Sequence, residues 1–191
     1  MKIIGLTGGS GTGKGTVAAR MRSLGAGWVD ADAVYRTLCA ENREMLSALD
    51  TAFGGVTDAN GVLDRPKIVF SDPAKLQQLN EITTPYIRKA SLDAIHAQSA
   101  CPIVLYDAPT LFEAGADDFC DKIIAVLAPH DTRVARIIER DGLSNEAARA
   151  RIDAQPNDMF YREKCDFIIE NNGDLDMLYR DTDALYSQLI K

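Results

Sequence analysis

Nine residues near the start of the chain, Gly8-Gly9-Ser10-Gly11-Thr12-Gly13-Lys14-Gly15-Thr16, restrict its fold more than any other segment. They satisfy the spacing G-x-x-x-x-G-K through Gly8, Gly13 and Lys14. The apolar run Lys2 to Thr7 precedes them and reads as a buried strand. Lys14 to Leu24 follows, with Val17, Ala18, Met21 and Leu24 at helical spacing and Gly25 and Gly27 closing it. Strand, glycine loop and helix in that order are the context in which this pattern binds phosphate. Glycines let the backbone curl until N–H groups converge on phosphate oxygens more closely than a residue with a Cβ allows. The helix N-terminus adds about half a positive charge, and Lys14 supplies a full one. Gly9, Ser10, Gly11, Thr12, Gly13, Lys14, Gly15 and Thr16 are therefore the expected binding residues for a nucleoside triphosphate.

The rest of the chain continues the alternation. Trp28-Val29 leads to Asp30-Ala31-Asp32 as a second strand, Ile103 to Tyr106 is a third ending at Asp107, Lys122 to Leu127 a fourth, and Phe167 to Ile169 a fifth. Strands that are apolar throughout and alternate with helices indicate a parallel five-stranded sheet covered on both faces, an α/β three-layer sandwich. With the glycine loop, this is the P-loop NTPase architecture. Two stretches exceed a simple crossover. The segment from Val34 to Ala100 is helical in pattern, interrupted by Gly54-Gly55 and Asp58-Ala59-Asn60-Gly61, and reads as an inserted helical lobe. Asp131 to Lys164 carries seven cations balanced by seven acids, and reads as a helical lid. The expected organisation is a nucleotide-binding core of 1–33, 101–130 and 165–191, an insertion of 34–100 and a lid of 131–164.

The bulk composition removes several function classes. Of 191 residues, 46% are hydrophobic and 26% charged, as in a globular protein that buries roughly 70% of its unfolded surface. Twenty-one basic against 28 acidic residues give a net charge of −7, which disfavours nucleic acid and anionic membranes as partners. Cys39, Cys101, Cys120 and Cys165 show no C-x-x-C pair or metal-ligand spacing, and are expected to be reduced thiols. The N-terminus lacks the features of a signal peptide and no apolar run is long enough to span a membrane. A cytoplasmic protein, monomeric or a weak homo-oligomer, is expected.

An acidic chain that binds a polyanion must concentrate cations locally. Arg133, Arg136 and Arg140 are three and four residues apart and share one helix face, so a lid could bring them over a transferring phosphoryl group. The alternative is a solvated helix with surface ion pairs. Phosphoryl transfer also needs a group to accept the acceptor's proton. Asp32, at the exit of the second strand, is the candidate base, because ligands of open α/β sheets bind beyond the strands' carboxyl ends. Asp30 and Asp32 could instead cap the following helix. Asp107, ending the third strand, is a candidate near the metal, or else a turn former before Ala108-Pro109. The residue after Lys14 is ordinarily Ser or Thr, whose hydroxyl ligates Mg²⁺. Here it is Gly15, with Thr16 next, and the loop resembles the G-K-G-T variant of adenylate kinases. Metal duty would then shift toward Thr16, Asp32, Asp107 and water.

These segments together resemble the dephospho-CoA kinases. The resemblance covers the opening from Ile3 to Lys14, Val29-Asp30-Ala31-Asp32-Ala33, the turn Gly61-Val62-Leu63-Asp64-Arg65, Leu105-Tyr106-Asp107-Ala108-Pro109 with Leu111-Phe112-Glu113, Arg136 with Arg140-Asp141 and Gln155, and Asn172-Gly173. It implies transfer of the ATP γ-phosphate to the ribose 3′-hydroxyl of dephospho-CoA, with Mg²⁺. Asp32 would be the base, Lys14 and Arg140 would act on the phosphates, and Arg136 and Asn172 would help bind ATP. The inserted lobe would take the acceptor. Three positions depart from the family's pattern: Gly15, Thr84 where a His precedes Pro85, and Thr110 where a Leu follows Pro109. A nucleoside or nucleotide monophosphate kinase is a second reading, although no arginine cluster to grip a monophosphate precedes Arg88. An ATP-binding regulator without turnover is a third. A small GTPase is disfavoured, since no N-K-x-D or T-K-x-D segment is present.

Overall fold

The computed structural model describes residues 1–55 and 72–191, so the Gly61 to Arg65 turn and the Asp58 to Gly61 stretch lie outside the described residues. The contacts divide the chain into two units, Met1–Val29 with Gln98–Lys191, and Asp30–Ala97.

The first unit is built on a five-stranded parallel sheet. Its strands are β1 (Lys2–Thr7), β2 (Gly27–Asp30), β3 (Ile103–Asp107), β4 (Lys122–Leu127) and β5 (Phe167–Glu170), in the order β2-β3-β1-β4-β5. The central strand places Ile4 opposite Leu105 on one side and Lys122 on the other. All five residues of β3 are buried, as expected for a strand covered on both faces. β3 and β5 each run one residue past the apolar stretch, because Asp107 still pairs with Leu6 and Glu170 with Leu127. The core gathers Ile4, Leu6, Ile103, Leu105, Ile124 and Val126 from the sheet. Against it pack Val17, Ala18 and Met21 of α1 (Lys14–Ser23) and Leu178, Leu185, Tyr186 and Leu189 from the C-terminal helix. The glycine loop leaves the carboxyl end of the central strand, where such sheets bind ligands.

The second unit is helical. It contains α2 (Ala31–Glu41), α3 (Arg43–Phe53) and α4 (Pro73–His96). Each has an acid or amide at its start: Asp30, Asn42 and Asp72 accept hydrogen bonds from the first-turn amides. Leu38, Cys39, Met45, Leu46, Leu49 and Leu79 form its core. Pro85 lies within α4, where its ring removes one amide from the helix ladder.

Between β4 and β5 run α5 (His130–Asp141), α6 (Asn145–Asp153) and α7 (Asp158–Lys164), all in the first unit. Val134, Ile137, Ala148 and Ile152 join α5 to α6. Asp141, at the end of α5, accepts from Arg140 at 2.8 and 2.9 Å and from Arg151 at 2.6 Å. The Arg140 hydrogen bonds foremost, then Arg151, hold its carboxyl down at about 2 against an ordinary 3.8. A depressed carboxyl contributes stability above its free pKa and loses it as pH falls through the folded one. Asp141→Asn is therefore expected to flatten the loss of α5–α6 protection between about pH 4 and 2, read by amide hydrogen exchange. The C-terminal helix, α8 (Leu175–Leu189), is tied to α1 by a two-pronged Arg20–Asp183 pair at 2.7 and 2.6 Å. Burial first, and then acidic neighbours, push the Cys120 and Cys165 thiols up to about 12, so both stay protonated and unreactive. Among the described residues no helix is long and apolar enough to cross a membrane.

Candidate active site

The loop from Gly8 to Thr16 is shaped from within and braced from outside. Gly13, at the start of α1, has φ 93°, a left-handed conformation that side chains resist. A Cβ there would run into the side-chain amide of Asn171. Asn171 is only 5% exposed. Its Nδ2 donates to the Thr12 carbonyl at 2.8 Å, while its own backbone N–H is anchored on the Leu127 carbonyl at the end of β4. Thr12 closes the loop internally, its N–H and Oγ1 both donating to the Gly9 carbonyl at 3.3 and 2.9 Å. The Ser10 N–H donates to Gln155 Oε1 at 2.9 Å, and that of Thr16 to the Gly13 carbonyl. The amides of Ser10, Thr12 and Thr16 are thus occupied inside the protein. Among the described residues no such bond engages the amides of Gly11, Gly13, Lys14 and Gly15.

Lys14 Nζ forms an ion pair with Asp107 Oδ1. Asp107 closes β3, is 7% exposed, and accepts a second bond from the Trp28 indole Nε1 on β2 at 3.3 Å. The Arg22 guanidinium lies over the Trp28 ring at 4.5 Å, a cation–π contact that steadies the indole. The loop's one lysine is therefore held ready on a carboxylate, rather than being left to solvent.

The arginines of α5 divide. Arg133 and Arg136 turn toward the loop: Arg133 Nε donates to the Ser10 carbonyl at 2.9 Å, and Arg136 Nη1 to the carbonyls of Gly11 and Thr12 at 3.1 and 3.4 Å. Arg136 Nη2 also reaches Asn171 Oδ1 at 3.4 Å. Arg140 turns to Asp141 at the surface instead. Seven residues of helix separate it from Arg133, about 10 Å of rise, which carries it past the loop. Asn172 is exposed and bonded to Glu170 at 3.4 Å, while its neighbour Asn171 is the one packed on the loop. Arg133, Gln155 and Asn171 are thus brought to the phosphate loop, although the motif spacing names none of them as its ligands. Arg133 is marked in the sequence by the helix face it shares with Arg136, and Gln155 by the family resemblance, while Asn171 carries no such signal.

Within the helical unit the two carboxylates of the D-A-D segment differ in their bonding. Asp30 Oδ1 accepts from the amides of Asp32 and Ala33 at 2.9 and 3.1 Å, and its Oδ2 lies 3.6 Å from Arg36. It is the helix cap. Asp32 is exposed, and among the described residues no side chain bonds to its carboxylate. Thr16 is partly exposed in the first turn of α1, and a Cβ on Gly15 would meet nothing within 4 Å.

The sequence model of the dephospho-CoA kinases matches residues 2–177 of this chain. The dephospho-CoA kinase of Leifsonia xyli subsp. xyli is 38% identical over 196 residues, covering 99% of each chain. Among solved structures, the dephospho-CoA kinase from Campylobacter jejuni superposes with a TM-score of 0.72 at 26% identity, covering 98% of this chain and 96% of that one. Shikimate kinase from Acinetobacter baumannii shares the fold at 16% identity and a TM-score of 0.55, covering 100% of this chain and 96% of its own. Sequence match, sheet order and braced glycine loop agree: this chain belongs to the dephospho-CoA kinase family.

Proposed function

We propose that this protein transfers the γ-phosphoryl group of ATP to the 3′-hydroxyl of the ribose of dephospho-CoA, giving coenzyme A and ADP. The observation that carries the reading is the family match across residues 2–177, joined to a phosphate loop whose lysine is held in place by Asp107. Lys14 exchanges Asp107 for the β- and γ-phosphates, and the amides of Gly11, Gly13, Lys14 and Gly15 hold the phosphate oxygens. Arg136 adds charge at the rim. Arg140 leaves Asp141 to reach the transferring group when residues 131–164 close as a lid. Asp32 accepts the proton of the attacking hydroxyl, and Asn172 lies by the nucleotide base. Residues 34–100 bind the acceptor.

The metal chemistry fits the residues present. Among the described residues no three His, Cys, Asp or Glu side chains gather into a cage. Mg²⁺ needs none, because it keeps several waters and takes one or two protein oxygens besides the phosphates. Asp107 and Thr16 would hold it, and it would neutralise charge on the transferring phosphoryl group. The open space at Gly15 makes a direct test possible. Gly15→Ser is expected to fold, to stabilise α1 by about 0.5 kcal/mol, and to lower the Mg²⁺ concentration needed for half-maximal rate. A thermal melt and a metal titration of the rate check both.

The function itself is tested by supplying ATP·Mg²⁺ with dephospho-CoA, AMP, nucleosides and shikimate in turn and following ADP release. Turnover confined to dephospho-CoA is expected, with phosphate appearing on the 3′-oxygen. Faster turnover on AMP or a nucleoside would replace the acceptor assignment, and ADP release with none of them would leave a nucleotide-binding regulator.

A further inference from the structure

Among the described residues, Arg133 is a buried cation with no anion bonded to it. It is 5% exposed, and both of its hydrogen bonds end on neutral oxygens: the Ser10 carbonyl at 2.9 Å and Gln155 Oε1 at 2.8 Å. Among the described residues no carboxylate forms an ion pair with it, and Asp153 and Asp158 act on it only at longer range. Burial accordingly holds its pKa below the ordinary arginine value. Arg136, the next arginine on that face, likewise bonds among the described residues only to neutral oxygens of Gly11, Thr12 and Asn171. The carboxylate of Asp107 is occupied by Lys14. Buried charges persist where they are paired, so the loop carries a standing excess of positive charge in a chain whose net charge is −7.

The geometry also shows how that charge is delivered. The Ser10 carbonyl belongs to the same peptide unit as the Gly11 N–H, and in a trans peptide the two point in opposite directions. A guanidinium on the carbonyl therefore turns the Gly11 N–H away from Arg133 and polarises it. Gln155 fixes the other side of Ser10, accepting its N–H at 2.9 Å and donating to its Oγ at 3.0 Å. Gly11 has φ 79°, and a Cβ there would come within 2.7 Å of the Arg133 carbonyl oxygen. The loop and α5 are thus in backbone contact at this point.

We propose that the missing counter-ion of Arg133 is the nucleotide polyphosphate, and that Arg133 is a positioning residue that orients and charges the Gly11 amide through the Ser10 carbonyl. The proposal rests on the nucleotide reading of the loop and not on the identity of the acceptor, so it is tested without one. The full chain is titrated calorimetrically with AMPPNP and Mg²⁺, and nucleotide binding by the unsubstituted chain establishes that reading by itself. Arg133→Gln is expected to weaken AMPPNP binding about tenfold, with the nucleotide-free thermal midpoint unchanged or raised because a buried unpaired charge is gone. Arg133→Lys should recover affinity to within about threefold of the parent. In turnover the loss should fall on the KM for ATP, leaving kcat and the acceptor KM within about twofold. Arg133→Met serves the same comparison if the glutamine variant does not fold. AMPPNP affinity within twofold of the parent after removal of the charge, or a lysine variant no better than the neutral ones, would overturn the proposal.

Discussion

Asp32→Asn is expected to lower kcat by about 10²- to 10⁴-fold, the range that a positioned general base contributes, while leaving nucleotide and acceptor dissociation constants nearly unchanged. The division of labour in the D-A-D segment makes this a clean experiment. Asp30 supplies the hydrogen bonds that start α2, to the amides of Asp32 and Ala33, so an amide at position 32 removes no cap. As an exposed substitution away from the core, it should change stability by no more than about 0.5 kcal/mol. Asp30→Ala gives the opposite profile, a loss of about 1 kcal/mol of stability. Steady-state kcat, paired with calorimetric binding, separates the two residues. A kcat within tenfold of the parent in Asp32→Asn would remove Asp32 as the proton acceptor.

Lys14→Met is expected to be the second large effect, and to act twice. Loss of the charge on the phosphates should lower kcat/KM by about 10²- to 10³-fold. It also strands Asp107, whose side chain is 9% exposed. Breaking a buried pair by removing one partner costs about 3–5 kcal/mol, which at this chain length corresponds to a fall of roughly 10 °C in the thermal midpoint. Lys14→Met combined with Asp107→Asn should regain most of that stability and none of the activity. Melting curves and kcat/KM for the two variants decide the matter. A double variant as unstable as the single one would mean that Asp107 is not what the lysine balances.

The features legible in the sequence are those that depend on near neighbours along the chain. Strand, glycine loop and helix follow one another within 24 residues, and each signal (apolar run, glycines, helical spacing) is local. The parallel sheet was legible for the same reason, since strands buried on both faces are apolar throughout. What spacing does not convey is which of several similar side chains meets a distant segment. Three and four residues put Arg133, Arg136 and Arg140 on one face, yet only the first two lie level with the loop. Asn171 and Asn172 are indistinguishable by type; the backbone bond of Asn171 to Leu127 decides which one faces inward. Gln155 reaches Ser10 across 145 positions of sequence, a distance at which residue order carries no geometric information. The D-A-D segment was ambiguous because an aspartate before a helix can be a cap or a catalyst, and only the hydrogen bonds of Asp30 identify it as the cap.

The indole that donates to Asp107 is the sole tryptophan of the chain. Tryptophan emission responds to what its N–H is bonded to and to charges against its ring, and here those are Asp107 and Arg22. A change in the state of Asp107, such as the proposed departure of Lys14 toward a phosphate, would therefore be written into the colour of a single fluorophore. On the nucleotide reading of the loop, Trp28 would serve as an optical probe of its occupancy, needing neither label nor acceptor, on the timescale of a stopped-flow mixing experiment.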